Sequence, residues 1–389
     1  MRPQYLAKPI ASLNVLSVAL GVDIDVLRNA ASNIERHYHP HSVPKKDGSL
    51  RSIYIPSIHL KKIQKRINRN IFENISYPGY LFGGIKERDY VKNANAHASA
   101  ELLIALDVRG FYPSITRDKT LNIFKFFFKF SHDVASLLAD LTCLRGQVPQ
   151  GACTSSHLAN LVLHDTEYHL VQHLNNKGLT YTRLLDDISI SSKTQLEEKQ
   201  VQTLIGKVRT MLNEQGLKLQ NKKTKITSRK NPENLMEVTG LWLNRGRARV
   251  HRNERRIIRA ELHKCESMSR LSKSSPEYHD FYNRLSGRVA KLTYLEHKEA
   301  LSYRSRLREI LPIYEKNEIH RTIQLVTSLQ KSSIKDRGKY AYYAKFHQVR
   351  YRLNILGRTD GGLAKKLATT LQTCKPTSDK ERLFYHDII

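Results

Sequence analysis

Two adjacent carboxylates, Asp186 and Asp187, stand between two apolar-rich segments near the middle of the chain. The segment from 188 to 191 alternates apolar and polar residues, which is typical of a half-buried strand. Neighbouring carboxylates repel each other unless a cation neutralises them, and hard divalent ions with oxygen ligands are the usual cations. The stretch therefore indicates either a metal site at the tip of a hairpin or a turn that simply favours Asp.

A third carboxylate, Asp107, closes an apolar run that reads Leu-Leu-Ile-Ala-Leu-Asp-Val from 102 to 108. Such a run predicts a buried strand. A strand that delivers one Asp and a hairpin that delivers two form the ligand set that two-metal phosphoryl transfer requires. In that chemistry one ion lowers the pKa of the attacking hydroxyl, and the other holds the leaving phosphate oxygens.

Two further segments are suited to a nucleotide. The loop 146–152 reads Gly-Gln-Val-Pro-Gln-Gly-Ala, and its small residues allow a nucleotide to lie against the backbone. The segment 43–53 predicts a hairpin with an Asp-Gly turn. This hairpin carries three cations, Lys45, Lys46 and Arg51. They suit a triphosphate, Arg51 best because its planar fork matches phosphate, and a solvated charged turn is the alternative.

In this order, the elements resemble the palm and fingers of a reverse transcriptase. The resemblance implies an α+β right-hand polymerase with a helical, basic C-terminal extension. It implies two Mg²⁺ ions, with Mn²⁺ as a substitute, held by Asp107, Asp186 and Asp187. The implied segments are a helical cap (1–36), fingers and palm (37–235), a thumb (236–315) and the extension (316–389).

The same resemblance assigns roles around the incoming deoxynucleoside triphosphate. Tyr112 is expected beneath the sugar, where its ring excludes a ribose 2′-hydroxyl, unless it is an ordinary core aromatic. Gln150 and Gly151 match the loop over the nucleotide and primer. Lys223 is expected either to neutralise the leaving pyrophosphate or to contact nucleic-acid backbone.

Two short elements resemble one branch, the retron reverse transcriptases. Asn93 to His97 matches its Asn-Ala-x-x-His element, and Val238-Thr239-Gly240 matches its Val-Thr-Gly element. The resemblance covers residues 10 to 310 and makes Asn93, His97 and residues 238 to 240 candidate RNA contacts, although structural roles fit nearly as well. It further implies one structured non-coding RNA, priming from the 2′-hydroxyl of an internal guanosine, branched multicopy single-stranded DNA as the product, and antiphage defence with a separately encoded effector protein.

The charge of the chain also favours a nucleic-acid partner. Its 389 residues include 65 Lys and Arg against 36 Asp and Glu, a formal net charge of +29. An anionic membrane surface is the rival partner. The sequence lacks an apolar span of about 18 residues and a signal-peptide pattern, so we expect a soluble protein of the bacterial cytoplasm.

Candidate RNA contacts also lie towards the C-terminus. Arg288 stands in the region that resembles the thumb, which grips the template-primer duplex through its backbone. Tyr342 and Arg350 belong to a stretch that interleaves aromatic residues with cations. Such a stretch suits stacking on single-stranded bases or clasping an RNA stem-loop, and a basic helix packed on the thumb is the alternative.

One position departs from the reverse transcriptase pattern. The family usually has Tyr two positions before the first Asp of the pair, and here that position is Leu184. We expect metal binding to survive, with primer positioning or fidelity altered. Two other assignments stay open at this point: an abortive-infection or intron-type reverse transcriptase, and a non-catalytic RNA-binding scaffold.

Overall fold

The structure is a computed structural model that describes residues 1–44, 48–231, 233–379 and 381–386. The chain divides into two compact units, one from Met1 to Ala248 and one that begins at Arg249. Helices combine with small antiparallel sheets, which confirms the predicted α+β class. The finer division into cap, fingers with palm, thumb and extension stays a prediction.

The first unit holds all the strands of the described residues. They are β1 (Gln4–Tyr5), β2 (Tyr38–Pro44), β3 (Leu50–Pro56), β4 (Ile75–Ser76), β5 (Leu102–Asp107), β6 (Thr180–Leu184), β7 (Asp187–Ser192), β8 (Lys225–Ser228), β9 (Glu237–Val238) and β10 (Leu241–Trp242). Its helices are α1 (Leu13–Leu20), α2 (Ile24–Ser32), α3 (Ile58–Asn70), α4 (Tyr90–Asn95), α5 (Phe111–Ser114), α6 (Arg117–Asn122), α7 (His132–Thr142), α8 (Ser155–Leu161), α9 (Glu167–Asn176) and α10 (Glu198–Glu214). A single π-helical turn, Ile123–Phe127, separates α6 from α7.

The central sheet has four antiparallel strands in the order β6-β7-β5-β8. Residues on alternate positions of a strand face opposite sides of the sheet. On β5 and β7 one side carries Ile104, Leu106, Ile188 and Ile190, which belong to the main hydrophobic core. Asp107 and Asp187 are therefore placed on the side that faces away from this core. The apolar alternation seen in the sequence thus decides which face holds the acids.

Helices pack around that core. α1 ends at Gly21, which takes the left-handed conformation that often terminates a helix, and α2 begins after it. An apolar stripe runs along α3 and the turn after it, and its members are buried: Leu60, Ile63, Ile67, Ile71 and Ile75. Burying an apolar stripe of this kind is the main source of stability for a helix whose opposite face is charged.

The second unit is helical. Its helices are α11 (Arg252–Leu271), α12 (Pro276–Tyr294), α13 (Ala300–Glu309), α14 (Lys316–Gln330), α15 (Ile334–Arg337), α16 (Tyr340–Leu356) and α17 (Gly361–Thr373). α14, α16 and α17 share one hydrophobic core, built around Val326, Phe346 and Leu356. Among the described residues, no helix combines the length and the apolar character that crossing a membrane requires.

The structure corrects one RNA contact predicted in this unit. Tyr342 is buried in the core of α14, α16 and α17, and its hydroxyl donates a hydrogen bond to the carbonyl of Cys374 at 2.7 Å. Its ring is therefore covered by protein and leaves no free face on which a base could stack. The reason is that Tyr342 lies on the side of α16 that packs against the neighbouring helices. Arg350 is exposed on α16, and Arg288 is half-buried in an ion pair with Glu261 at 2.5 Å.

Candidate active site

The lone acid and the acid pair meet at one end of the central sheet. β5 and β7 are antiparallel neighbours in which Asp107 stands directly opposite Asp187. Directly opposed residues project from the same face of a sheet, so these two carboxylates share the face that turns away from the core. Asp186 adjoins them in the turn before β7, and its carbonyl accepts a hydrogen bond from the backbone N–H of Val108 at 3.0 Å. Residues that are 79 positions apart thus form one acidic cluster.

The electrostatics of the cluster are unfavourable without an added cation. Burial, followed by repulsion from Asp186 and Asp107, raises the pKa of Asp187 to about 6. Burial and the charge of Asp107 likewise raise the pKa of Asp186. A carboxylate whose pKa is raised in this way is held in its charged form at a cost, and a nearby divalent cation removes that cost.

One protein cation already contacts the cluster. The ammonium of Lys223 lies 2.9 Å from Oδ2 of Asp107, and this hydrogen bond is the main reason why the pKa of Lys223 is raised. As the side chains lie, no three His, Cys, Asp or Glu side chains of the described ranges already surround one metal position. The three carboxylates nevertheless supply the hard oxygen donors that a divalent ion prefers. One of these oxygens, Oδ2 of Asp107, is bonded to Lys223 in this structure.

A pocket of ≈510 Å³ opens beside Asp107 and Asp186, and we call it the Arg51 pocket. The predicted nucleotide residues that line it are Arg51, Tyr112, Gln150 and Lys223. Burial and the charge of Asp186 raise the pKa of Tyr112 to about 12, so its hydroxyl stays protonated. The structure therefore brings four predicted nucleotide residues together with two acids. Lys45 and Lys46, also predicted to bind nucleotide, lie outside the described residues.

Gly151 adjoins Gln150 but is not among the residues that line this pocket, and its contact with the nucleotide stays a prediction. Its backbone has φ +111°, and a Cβ there would lie 2.5 Å from Cγ2 of Ile53 and 2.9 Å from the carbonyl of Tyr54. Beside it, the N–H of Tyr54 donates to the carbonyl of Gln150 at 2.8 Å. Gly151 is thus needed for the β2–β3 hairpin to pack on the loop, and this packing places Arg51, also on β3, at the pocket.

Replacing Gly151 by Ala is expected to displace the hairpin and raise the KM for deoxynucleotides about tenfold, because Arg51 moves with β3. Steady-state primer extension measures this value. Gly206→Ala is the matched control, since Gly206 lies in α10 and no atom stands within 4 Å of its added Cβ. An unchanged KM in the Gly151 variant would contradict the packing role.

A second pocket, of ≈600 Å³, lies on the Asp187 side of the cluster, and we call it the Leu184 pocket. It shares Asp107 and Lys223 with the Arg51 pocket. Its other lining residues include Tyr90, Leu184, Asp187, Lys222, Lys225, Val238, Thr239 and Gly240. The position where reverse transcriptases usually have Tyr thus lines this pocket with a smaller, aliphatic side chain.

The Val-Thr-Gly element forms the tight turn of the β9–β10 hairpin. Val238 pairs with Leu241, and the two residues between them, Thr239 and Gly240, have φ +48° and +80°. Two successive positive φ angles are typical of the hairpin turn that fits the twist of paired strands, but Thr is rare there. The hydroxyl of Thr239 donates to the carbonyl of Tyr90 at 3.1 Å, which anchors the turn on α4.

Three side chains of the two retron-like elements are buried, and their contact with RNA stays a prediction. Asn93, His97 and Val238 are each 1% exposed. His97 contacts the hydroxyls of Ser191 at 2.7 Å and Thr182 at 2.8 Å. The physical reason is that this polar face of the sheet needs a cover with matching polar groups. His97 therefore fixes the segment that follows α4 to the strands behind the acids.

Burial lowers the pKa of His97 to about 4. Because its value in the unfolded chain is near 6.5, the unfolded state binds more protons between these values, and stability falls as the pH falls through this range. We expect a loss of about 2 kcal/mol from this residue between pH 7.5 and pH 5. Urea denaturation at both pH values measures it.

The matched variants for this test are His97→Gln and His132→Gln. His132 is exposed on α7, so its replacement is expected to leave the pH dependence of unfolding unchanged. The His97 variant is expected to be less stable at pH 7.5 but to lose less on acidification. A pH dependence identical to that of the wild type would show that His97 is not the group that titrates.

Sequence reasoning missed three residues around the site. Asn95 accepts a hydrogen bond from the backbone N–H of Ala248 at 2.9 Å, so α4 also holds the last residue of the first unit. Arg183 and Glu167 form a buried ion pair beneath the acid pair. One feature of the sequence could have indicated this buried ion pair. Arg183 stands two residues after the core residue Tyr181, so both side chains lie on the same side of the strand.

Comparisons with known proteins agree with this geometry. The family described as "Reverse transcriptase (RNA-dependent DNA polymerase)" matches residues 43–270, more than half of the chain. The retron Se72 reverse transcriptase of Salmonella heidelberg (strain 579083-10) is 36% identical over 365 residues, which cover 94% of this chain and 96% of that protein. The chain belongs to the retron reverse transcriptases.

A second relative supports the same assignment. The retron Ec48 reverse transcriptase of Escherichia coli is 32% identical over 368 residues, 90% of this chain and 89% of that protein. Among solved structures, a telomerase from Candida albicans has 11% identity and a TM-score of 0.39 over 90% of this chain and 65% of that chain, too low for any inference.

Membership of this family confirms several predictions made from the sequence. The protein is an RNA-directed DNA polymerase with the right-hand fold, and its partners are an RNA template and deoxynucleoside triphosphates. Reverse transcriptases generally use divalent metal ions. Retron relatives over nearly the whole length decide against the intron-type and abortive-infection assignments.

Proposed function

We propose that this retron reverse transcriptase copies part of one structured non-coding RNA into branched multicopy single-stranded DNA in the bacterial cytoplasm. We further propose that it serves in antiphage defence together with a separately encoded effector protein. The observation that carries the catalytic part is the pairing of Asp107 with Asp187, beside Asp186, between two pockets that share Asp107. Identity to retron enzymes over almost the whole chain supports the product.

The proposed metal ligands are Asp107, Asp186 and Asp187, and Mg²⁺ is the proposed ion, with Mn²⁺ as a substitute. Their oxygen donors and raised pKa values fit a divalent cation. When bound, the ions lower the pKa of the attacking hydroxyl and neutralise the phosphate oxygens. The chain's own part is to hold the three carboxylates at one end of a rigid sheet, so that the carboxylates need little rearrangement during the reaction.

The Arg51 pocket is the proposed site of the incoming deoxynucleotide. Arg51 presents a planar fork to phosphate oxygens, and Lys223 can move from Asp107 towards the leaving pyrophosphate. Tyr112 stands in the same pocket, where its ring is placed to exclude a ribose 2′-hydroxyl. Arg51 and Lys223 thus compensate the negative charge of the phosphates, and Tyr112 selects deoxyribose over ribose.

The Leu184 pocket is the proposed site of the nucleotide that carries the attacking hydroxyl. In-line displacement requires the attacking oxygen and the leaving oxygen on opposite sides of the phosphorus, and the two pockets lie on either side of Asp107. The hydroxyl oxygen bonds to the α-phosphorus and gives its proton to water, while the bond from that phosphorus to the leaving pyrophosphate breaks. For the first step, the proposed attacking group is the 2′-hydroxyl of an internal guanosine.

Binding of the structured RNA is proposed to use the exposed cations of both units. The formal net charge of +29 favours such a partner. Arg350 is exposed on α16, whereas Arg288 must exchange its partner Glu261 for phosphate. Thr239 and Gly240 line the Leu184 pocket and remain candidates for RNA contact.

The test is to express the chain together with its flanking DNA and to isolate the nucleic acid that copurifies with it. The proposal expects one dominant RNA joined to DNA through a 2′–5′ bond, which debranching enzyme converts into a free DNA of defined length. A heterogeneous RNA pool without a branch would contradict the retron product. Phage plating with and without the neighbouring genes then tests the defensive role.

A further inference from the structure

A buried ion pair lies directly beneath the turn that carries the acid pair. The side chains of Arg183 and Glu167 are 0% and 1% exposed, and they join through two hydrogen bonds, Nε to Oε1 at 2.5 Å and Nη2 to Oε2 at 2.8 Å. Arg183 lies on β6, directly opposite the core residue Ile188. A buried pair of this kind is a weak source of net stability, so its presence calls for another explanation.

The guanidinium of Arg183 uses all five of its N–H donors. Besides the two bonds to Glu167, Nη1 donates to the carbonyls of Ala159 at 3.0 Å and Leu185 at 3.2 Å, and Nη2 donates to the carbonyl of Asn160 at 3.0 Å. Glu167 accepts a further bond from the hydroxyl of Tyr181 at 2.7 Å. A planar fork with every donor engaged has one orientation, which makes the guanidinium a rigid support.

The residue held by this support has a strained backbone. Leu185 precedes Asp186 and has φ +58°, the left-handed region that side chains with a Cβ rarely adopt. On its other side lies Gly83, where a Cβ would come within 2.4 Å of Cγ and 2.9 Å of N of Leu185. The turn therefore packs between the guanidinium of Arg183 and the backbone of Gly83. A strained backbone conformation persists only where such surrounding contacts hold it in place.

The same guanidinium connects the acids with the nucleotide loop. Ala159 and Asn160 lie in the last turn of α8, whose carbonyls favour a cation. α8 follows the loop that supplies Gln150 to the Arg51 pocket, and the hydroxyl of Ser155, its first residue, donates to the carbonyl of Pro149 at 2.6 Å. Arg183 thus connects the acid turn to the helix that follows and hydrogen-bonds the loop lining the pocket.

We infer that Arg183 is a positioning residue for the acid pair: its guanidinium, neutralised by Glu167, holds Leu185 in the left-handed conformation and so aims Asp186 and Asp187 at their common site. This inference rests on the proposed metal-binding function of those carboxylates. A small displacement of a ligand weakens metal binding even when the ligand itself is intact, as is typical of groups that orient metal ligands.

The experiment compares Arg183→Lys with Arg66→Lys. Lys keeps the charge opposite Glu167 but has three donors and no planar fork, so it cannot hold Leu185, Ala159 and Asn160 together. Arg66 is the matched control, because it is equally buried in the same unit and donates to the carbonyls of Leu20 and Gly21, on α1 and at its end. Binding of Mn²⁺ to the nucleotide-free protein is measured by electron paramagnetic resonance, with Asp186→Asn plus Asp187→Asn marking the signal due to this site.

We expect Arg183→Lys to bind Mn²⁺ about tenfold more weakly and to lower kcat with a smaller change in the KM for deoxynucleotides. Arg66→Lys is expected to lose stability while keeping wild-type Mn²⁺ affinity. Equal Mn²⁺ affinity of wild type and Arg183→Lys would overturn the inference. If the Lys variant does not fold, Glu167→Gln, which places an amide NH2 where one carboxylate oxygen accepts from the guanidinium, is expected to weaken Mn²⁺ binding by releasing Arg183, and wild-type affinity in that variant would overturn the inference.

Failure of the proposed function is distinguishable from failure of the inference. A wild-type protein that binds Mn²⁺ at this site but does not extend a primer contradicts the polymerase mechanism alone. A wild-type protein that extends primers while Arg183→Lys matches it in both Mn²⁺ affinity and rate contradicts the positioning role alone.

Discussion

Replacing Asp186 and Asp187 together by Asn is expected to reduce the rate of primer extension by at least about 10³-fold, because the bound metal ions that stabilise the transition state lose their ligands. A thousandfold loss corresponds to about 4 kcal/mol of transition-state stabilisation, which bound metal ions readily supply. Asn keeps the size of Asp but cannot provide an anionic oxygen. The measurement is single-turnover extension of an RNA-templated primer in Mg²⁺. Extension equal to that of the wild type would end the catalytic hypothesis for these residues.

The control for this variant is its own stability without metal. In EDTA at pH 7.5 the double variant is expected to be more stable than the wild type by about 3 kcal/mol, because the wild-type fold holds two acids whose pKa values are raised. The pKa of Asp187 rises from 3.8 to about 6, so the wild type is penalised above pH 6 and not below pH 4. The difference in urea midpoint should therefore vanish below pH 4, and a destabilised variant at pH 7.5 would show that lost activity reflects a damaged fold.

Replacing Tyr112 by Val is expected to weaken discrimination against ribonucleotides about 10²-fold, the size of effect that a pocket achieves when it rejects one added hydroxyl. Tyr112 lines the Arg51 pocket together with Asp107 and Asp186, so the sugar of a nucleotide bound there comes close to its ring. A shorter side chain leaves room for the 2′-hydroxyl. The measurement is the ratio of kcat/KM for a deoxynucleotide and the matching ribonucleotide.

Tyr112→Phe is the matched control for that prediction. It keeps the ring and removes only the hydroxyl, which is protonated at neutral pH because the pKa of Tyr112 is raised to about 12. Discrimination is expected to stay within about twofold of the wild type, since exclusion depends on the volume of the ring. Equal loss in the Phe and Val variants would assign the selectivity to the hydroxyl rather than to the ring.

Local patterns were sufficient to predict the strands and the acids they carry. Asp107 ends a run of apolar residues, and Asp187 starts a run with period two, so each pattern reports a strand without knowledge of its partner. In α3 (Ile58–Asn70) the apolar residues likewise recur at helical spacing. These features are readable because burial of one face imposes its period on a contiguous segment.

Gly151 shows what local patterns do not reveal. Its position in a small-residue loop predicts contact with a nucleotide, but only the structure shows that its missing side chain makes room for Ile53 and Tyr54 on a strand about 100 residues earlier. His97 shows the same limit, because nothing in its neighbours reveals that Ser191 and Thr182 will surround it. Contacts between segments remote in the chain decide both cases.

By itself, the sequence determined the α+β class, the strand-borne carboxylates and the polyanionic partner, since composition and periodicity act within single segments. Only the tertiary structure decided that Asp107 and Asp187 face each other, that the Asn-Ala-x-x-His helix is buried against the sheet, and that Arg183 supports the acid turn. The physical reason is that hydrogen-bond partners and burial are set by the register of strands and the packing of helices that lie far apart along the chain.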